Sequence, residues 1–271
     1  KTRKCTLCGR RAVYHRRYAG VFLCDRCFVE SLERRFRRTV FEHKMISPGE
    51  RVAVAVSGGK DSVTLLHLLA ELGEMKKFEV VAISIDEGIR GYRDRSIRVA
   101  KENTNSIGIE HVTGEFERYF GETLDGMVRL AKRKKMSLYP CTYCGVMRRY
   151  LLNKLAREVG ATKLATAHNL DDEVQAIMLN YIRGDLSRLQ RLGPVYFSRE
   201  GFVPRIKPLR EIPEKEVAVY ALLRKFKVHL AKCPYATGIH TEIRDFLNGL
   251  EARHPNSKFM ILRTFDSVKA R

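Results

Sequence analysis

The hydrophobic positions follow a helical spacing first and a strand spacing next, and the two then alternate. From Phe28 to Met45, Phe28, Leu32, Phe36, Val40 and Phe41 recur at helical spacing, which predicts an amphipathic helix that ends at "SPGE". "RVAVAV" (51–56) follows, an unbroken β-branched run of the kind that forms a strand buried on both faces. It runs through "SGGKDS" into the helical "VTLLHLLAEL", and a second strand, "FEVVAISI", ends at "DEGIRGYR". Further helices are predicted near 93–107, 121–135 and 145–159, with strands near 109–113 and at "TKLATA", before the helical "DDEVQAIMLNYI". Pro194, Pro204, Pro208 and Pro213 mark a looser stretch ahead of a helix at about 214–226. The tail reads as an amphipathic helix, a turn, then another helix or strand. Strands alternating with helices imply βαβ units and a parallel sheet, with ligands at the carboxyl ends of its strands.

Charge narrows the class. Of 271 residues, 51 are Lys or Arg and 31 Asp or Glu, a net charge of +20, clustered at "RRFRR" (34–38), "KRKK" (132–135) and Arg183, Arg188 and Arg191. Such an excess points to a polyanion, with nucleic acid first, rather than to solubility alone. No apolar run is long enough to span a membrane, so none is expected as a partner. Seven cysteines without a secretory pattern fit metals in a reducing compartment, the cytoplasm, better than disulfides.

Four of them open the chain. Cys5-x-x-Cys8 and Cys24-x-x-Cys27 have the spacing of a closed tetrahedral zinc site, in a segment too short to fold on its own core. With Arg3, Lys4, Arg10, Arg11, Arg16 and Arg17 around it, the knuckle is a candidate RNA contact. Cys141-x-x-Cys144 has no second pair nearby, and Cys233 stands alone. Two thiols cannot complete a metal site.

The glycine turn at 57–62 is a phosphate loop in kind: Gly58 and Gly59 let backbone N–H groups approach phosphate oxygens, and the next helix aims its positive end there. It is not a Walker loop, which needs Gly where Val54 stands and Ser or Thr where Asp61 stands. Ser57-Gly58-Gly59-Lys60-Asp61-Ser62 resembles the Ser-Gly-Gly-x-Asp-Ser signature of the N-type ATP pyrophosphatases, the PP-loop enzymes, which cleave ATP between its α and β phosphates and adenylate a carbonyl oxygen. That resemblance implies an adenine-nucleotide hydrolase-like α/β domain. It implies that Ala55, Ser57, Gly58, Gly59, Lys60, Asp61 and Ser62 bind the nucleotide, with Asp61 acting partly through Mg²⁺. Ser84 and Ile85 would lie where adenine is read, and Ala167 of "ATAHNLDDEVQ" near the nucleotide. Asp172 would face the reaction centre, although Asp171, Asp172 and Glu173 also read as an ordinary acidic helix start.

The knuckle, the PP-loop, "DEGIRGYR", the lone Cys pair and "KCPYA" together resemble the tRNA 2-thiouridine synthetases of the archaeal and thermophile type. These are PP-loop tRNA thiolases related to the cytosolic wobble-uridine thiolase and, more distantly, to the bacterial 2-thiocytidine enzyme. By that resemblance Cys233 joins Cys141 and Cys144 to hold a 4Fe-4S cluster, leaving one iron open for sulfur. A persulfide on Cys141 and Cys144, with Cys233 an ordinary buried thiol, is the rival reading. The resemblance implies adenylation of the uridine 2-oxygen and replacement of AMP by sulfur delivered at the open iron. Lys60, Mg²⁺ and Arg148 would neutralise phosphate charge, unless Arg148 is a surface cation on RNA; Asp172 would handle a proton or hold the base. The target base must be flipped from its stack. The family suggests a homodimer, a sulfur donor that is sulfide or a ubiquitin-like thiocarboxylate protein, and further cysteine pairs beyond the last helix, where this sequence ends at "SVKAR". The chain thus divides into a zinc knuckle (1–27), a linking helix (28–48), a catalytic domain (49–230) and a C-terminal helical tRNA-binding segment (231–271). A lysidine synthetase-like enzyme, which needs no iron, and a non-catalytic zinc-ribbon RNA-binding protein are the alternatives.

Overall fold

A computed structural model describes residues 3–136, 139–196, 200–235 and 240–269. The amino-terminal cysteines sit on a small hairpin, β1 (Tyr14–Arg16) and β2 (Val21–Leu23), joined by a 3-10 turn that ends at Gly20 in the left-handed region. Helix α1 (Asp25–Glu42) follows and already contains Cys27. Its stripe of Phe28, Leu32, Phe36 and Val40 is buried in the same core as the main sheet, as its spacing requires.

The body then alternates: β3 (Arg51–Ala55), α2 (Lys60–Lys76), β4 (Glu79–Asp86), α3 (Arg93–Ser106), β5 (Glu110–Glu115), a single turn α4 (Phe116–Phe120), α5 (Leu124–Arg133), α6 (Pro140–Glu158), β6 (Lys163–Ala165) and α7 (Leu170–Ile182). Next come the short α8 (Leu186–Leu189), β7 (Val195–Tyr196), β8 (Arg205–Ile206) and α9 (Glu214–Leu223), and the chain closes with α10 (His240–Arg253) and α11 (Ser257–Lys269). The six strands are ordered β5-β4-β3-β6-β8-β7. All pair in parallel except β7, which runs antiparallel to β8 at the edge and departs from the all-parallel expectation.

Both faces of the sheet are covered, which explains its unbroken apolar strands. Val52, Val54 and Ala82 pack with α1, α2 and α9, while Ala53, Val81 and Ile83 pack with α5 and α6. The chain lays β4 and β5 on one side of β3 and then returns to lay β6 on the other. The loops after β3 and β6 therefore face each other at the point where the winding reverses, the position at which open α/β sheets bind ligands. The tail is two helices, α10 and α11, packed on α7 around Leu170, Val174, Ile177, Leu247 and Leu262.

Candidate active site

The loop after β3 is built for close approach. Gly58 has φ of +82°, and a Cβ there would stand 2.1 Å from the Ser96 carbonyl oxygen, so loop and α3 touch through backbone. Ser62 Oγ accepts a hydrogen bond from the Ser57 amide (3.0 Å) and lies 3.0 Å from Ser57 Oγ, which ties the loop into a cup. Lys60 donates to Asp61 (2.7 Å) and to Glu214 at the start of α9 (2.8 Å). Burial opposes the charge of Lys60, but Asp61 and Glu214 outweigh it and hold the ammonium above its ordinary value. Ala55 is half-buried at the strand end. Ser84 and Ile85 are buried at the adjacent end of β4, and the Ser84 hydroxyl is taken up by the Val56 carbonyl (2.6 Å) and His111 (2.8 Å). A ligand can thus meet only their backbone.

Across the cleft, the loop after β6 carries Ala167, half-buried, and then Asn169 and Asp172, which close a capping box on α7 with two 3.1 Å bonds. Asn169 also donates to Asp61 (3.2 Å), joining the two loops. Burial, together with the charges of Asp61, Glu214 and Asp171, pushes the Asp172 carboxyl up to about 7. Asp172 therefore caps the helix while its carboxyl is held near the neutral form at pH 7. Asp171 is spoken for: it accepts from the Glu214 amide (2.7 Å) and from Lys258 of α11 (2.5 Å). His168, in the same stretch, carries no local signal in the sequence. Its ring is exposed by area, yet the surrounding protein and the positive charges of Lys207, Arg148 and Arg205 lower it to about 4, so it is neutral at pH 7.

The lone cysteine pair lies inside α6 rather than ahead of it, because Pro140 at its first turn starts the helix before Cys141. Cys144 is buried, Cys141 exposed and Cys233 half-buried. Cys144 and Cys233 share one apolar cluster with Tyr143, Met147, Tyr235 and Ala55. Cys141 Sγ donates to the Tyr235 carbonyl (3.0 Å), so the segment 233–235 crosses the first turn of α6. Burial pushes the Cys144 thiol up to about 11, against the pull of Arg148. The chain fold thus brings the three cysteines of the sequence expectation to one wall beside the phosphate loop. Among the described residues their sulfurs form no tight single-ion group. Thiolates sharing one zinc stand about 3.8 Å apart, from Zn–S bonds of about 2.3 Å, whereas thiolates on the corners of a cluster bind different irons and stand wider. An all-thiol set of this kind fits an iron–sulfur cluster.

Cys5, Cys8, Cys24 and Cys27 do form a single-ion group: all four sulfurs lie within 4.8 Å of one another. Cys24 caps α1, its sulfur accepting from the Cys27 amide at 3.5 Å. The hairpin is locked to the body by Arg16, which makes a two-point ion pair with fully buried Glu216 of α9 (3.0 and 2.8 Å), where Tyr18 donates as well (2.5 Å).

Residues 29–229 match the PP-loop domain family, and residues 4–29 match the family described as 2-thiouridine synthetase TtuA, N-terminal LIM domain. The tRNA 2-thiolation protein NcsA of Haloferax volcanii is 39% identical over 98% of this chain and 86% of that protein. The chain belongs to the PP-loop tRNA thiolase family. Another member, the tRNA-5-methyluridine(54) 2-sulfurtransferase of Pyrococcus horikoshii, is 34% identical over 97% of this chain and 81% of its own. The structure of the U34-tRNA thiolase NcsA of Methanococcus maripaludis, solved with its [4Fe-4S] cluster, superposes with a TM-score of 0.88 at 37% identity, over 99% of this chain and 87% of that one. Among the described residues no helix is long and apolar enough to cross a membrane.

Proposed function

We propose that this thiolase converts a tRNA uridine to 2-thiouridine in two steps at the β3–β6 cleft. The uridine 2-oxygen attacks the α-phosphorus of ATP, an O–P bond forms and pyrophosphate leaves with the electrons of the broken P–O bond. Sulfur then takes the place of the adenylated oxygen and AMP departs. The observation that carries the reading is the meeting of two half-sites in one crevice. A phosphate loop ends β3, and three thiols from α6 and a segment nearly ninety residues away stand on the wall beside it.

Ser57, Gly58, Gly59 and Ser62 offer amides and hydroxyls to pyrophosphate. Lys60 is held by Asp61 and Glu214, and exchanges these carboxylates for phosphate oxygens when ATP binds. Asp61 would hold Mg²⁺. Asp172, with its pKa near neutrality, takes the N3 proton of the uridine as O2 becomes the nucleophile. Arg148 faces the growing charge on phosphate, and neutral His168 is placed to donate or accept beside it. Cys141, Cys144 and Cys233 would hold a 4Fe-4S cluster, which supplies one iron without a protein ligand as a place for the sulfur donor. Cys5, Cys8, Cys24 and Cys27 would hold structural zinc. The working form is a cytoplasmic homodimer fed by sulfide or a ubiquitin-like thiocarboxylate protein, with the C-terminal helices and basic clusters on tRNA.

The test pairs pyrophosphate release with 2-thiouridine measured by nucleoside mass spectrometry. Asp61→Asn loses both, while Cys233→Ala keeps tRNA-dependent pyrophosphate release and loses the thionucleoside. Thiolation by Cys233→Ala at the unaltered rate would replace the cluster with a persulfide pair. No pyrophosphate release by the intact enzyme would leave an RNA-binding protein.

A further inference from the structure

The stretch "DEGIRGYR" joins the two half-sites through one side chain that the reaction scheme leaves unused. Glu87, at the carboxyl end of β4, is 2% exposed. Its carboxylate stands 2.5 Å from the guanidinium of Arg93 and 3.6 Å from that of Arg148. Arg93 is itself buried, and its other nitrogens donate to the Ile85 carbonyl, to the Ser96 hydroxyl (3.0 Å) and to the carbonyl of Ser57, the first residue of the phosphate loop (3.3 Å). Arg148 lies one helical turn beyond Cys144 in α6, its side chain half exposed to the cleft.

The two contacts differ in kind. Arg93 is buried and multiply bonded, and it neutralises the buried charge of Glu87. Neither contact has hydrogen-bond geometry, but Arg148 meets the same carboxylate at a longer distance and from a half-exposed side chain, so it is aimed rather than locked. A cation held in this way can turn to a phosphate oxygen without leaving a buried charge unpaired, since Arg93 remains. We propose that Glu87 is a positioning residue of the thiolation reaction: it aims Arg148 between the cysteine wall and the phosphate loop while Arg93 braces the same carboxylate against Ser57. This rests on the role given above to Arg148.

A double-mutant cycle decides it. Glu87→Gln keeps the shape and an oxygen for Arg93 but removes the charge that holds Arg148. It is expected to lower kcat for thiolation by roughly 10–100-fold, the usual effect of losing an orienting partner. ATP affinity, measured on cluster-free protein, is expected to stay unchanged because Arg93 and Ser57 stay in place. Combined with Arg148→Ala, it should add nothing to the loss from Arg148→Ala alone. Losses that multiply would overturn the proposal, as would a fall in ATP affinity equal to the fall in kcat, the mark of a merely structural carboxylate. If Arg148→Ala alone leaves kcat unchanged, the role of Arg148 in the proposed function fails first, and the inference with it. Should Glu87→Gln not fold, Glu87→Asp, which keeps the charge but shortens its reach, enters the same cycle with the same criterion.

Discussion

Asp172 joins a structural role to an electrostatic setting that suits proton transfer near pH 7. On periodicity alone it reads as an acidic helix start, and by resemblance as a carboxylate facing the reaction centre; in the structure it makes capping bonds with Asn169, and burial and its acidic neighbours raise its carboxyl to about 7. The sequence could not show this, because the raised value depends on Asp61 and Glu214, brought in from more than a hundred and about forty residues away. A carboxyl with a raised folded pKa favours the folded state in its neutral form. It costs no stability below the ordinary carboxyl value, an increasing amount from there up to the folded value, and a constant amount above it. Asp172→Asn should therefore melt near the unaltered enzyme at pH 4, gain on it steadily up to about pH 7 and hold a constant advantage above that, with thiolation lost. Thermal melts across pH measure this. A pH-independent difference would place the Asp172 carboxylate in an ordinary solvated setting.

At the scale of elements, α9 is the joint of the molecule. Its first turn holds Lys60 through Glu214 and the four-cysteine hairpin through Glu216, which lies among Arg16, Arg35 and Tyr18. Removing one partner of such a buried pair strands the other, at about 3–5 kcal/mol. Glu216→Ala should lose about that much stability in denaturant melts and loosen the hairpin, seen as faster zinc loss to a chelator. A change under about 1 kcal/mol, the range of an exposed pair, would contradict it. The long elements were legible in the sequence because their periodic runs are long: α1, β3, β4, α3 and α7 lie within a few residues of where the pattern put them. The two-residue strands β7 and β8 were not, since they sit among Pro194, Pro204 and Pro208 with no run to mark them; pairing of β8 with β6, and of β7 with β8, creates them. Helix α6 starts at Pro140, five residues ahead of the start its periodicity predicts, because a proline at the first helical turn leaves no amide unpaired. Glu87 and Arg93 carried no local signal, because their meaning comes from contacts with Ser57 and Arg148.

For the whole molecule, the order of winding sets the function: it puts the loops after β3 and β6 face to face and brings the distant Cys233 to the wall formed by α6. The charge of +20 fits the substrate, since Arg148, Arg205 and Lys207 lie near His168, and burial together with Arg205, Arg148 and Arg188 holds the Arg149 guanidinium below its ordinary value. If about six tRNA phosphates are neutralised, affinity should fall roughly 10³-fold between 50 and 200 mM salt. Filter binding at several salt concentrations checks this, and a flat profile would remove the basic face from tRNA recognition. The most direct test of the central claim is iron, acid-labile sulfide and zinc content per chain, on protein purified without oxygen. Cys141, Cys144 and Cys233 holding a cluster, with zinc on the amino-terminal cysteines, predicts about four irons, four sulfides and one zinc per chain. Zinc without iron, even after reconstitution with iron and sulfide, would contradict the account and leave Cys141 and Cys144 as a persulfide pair.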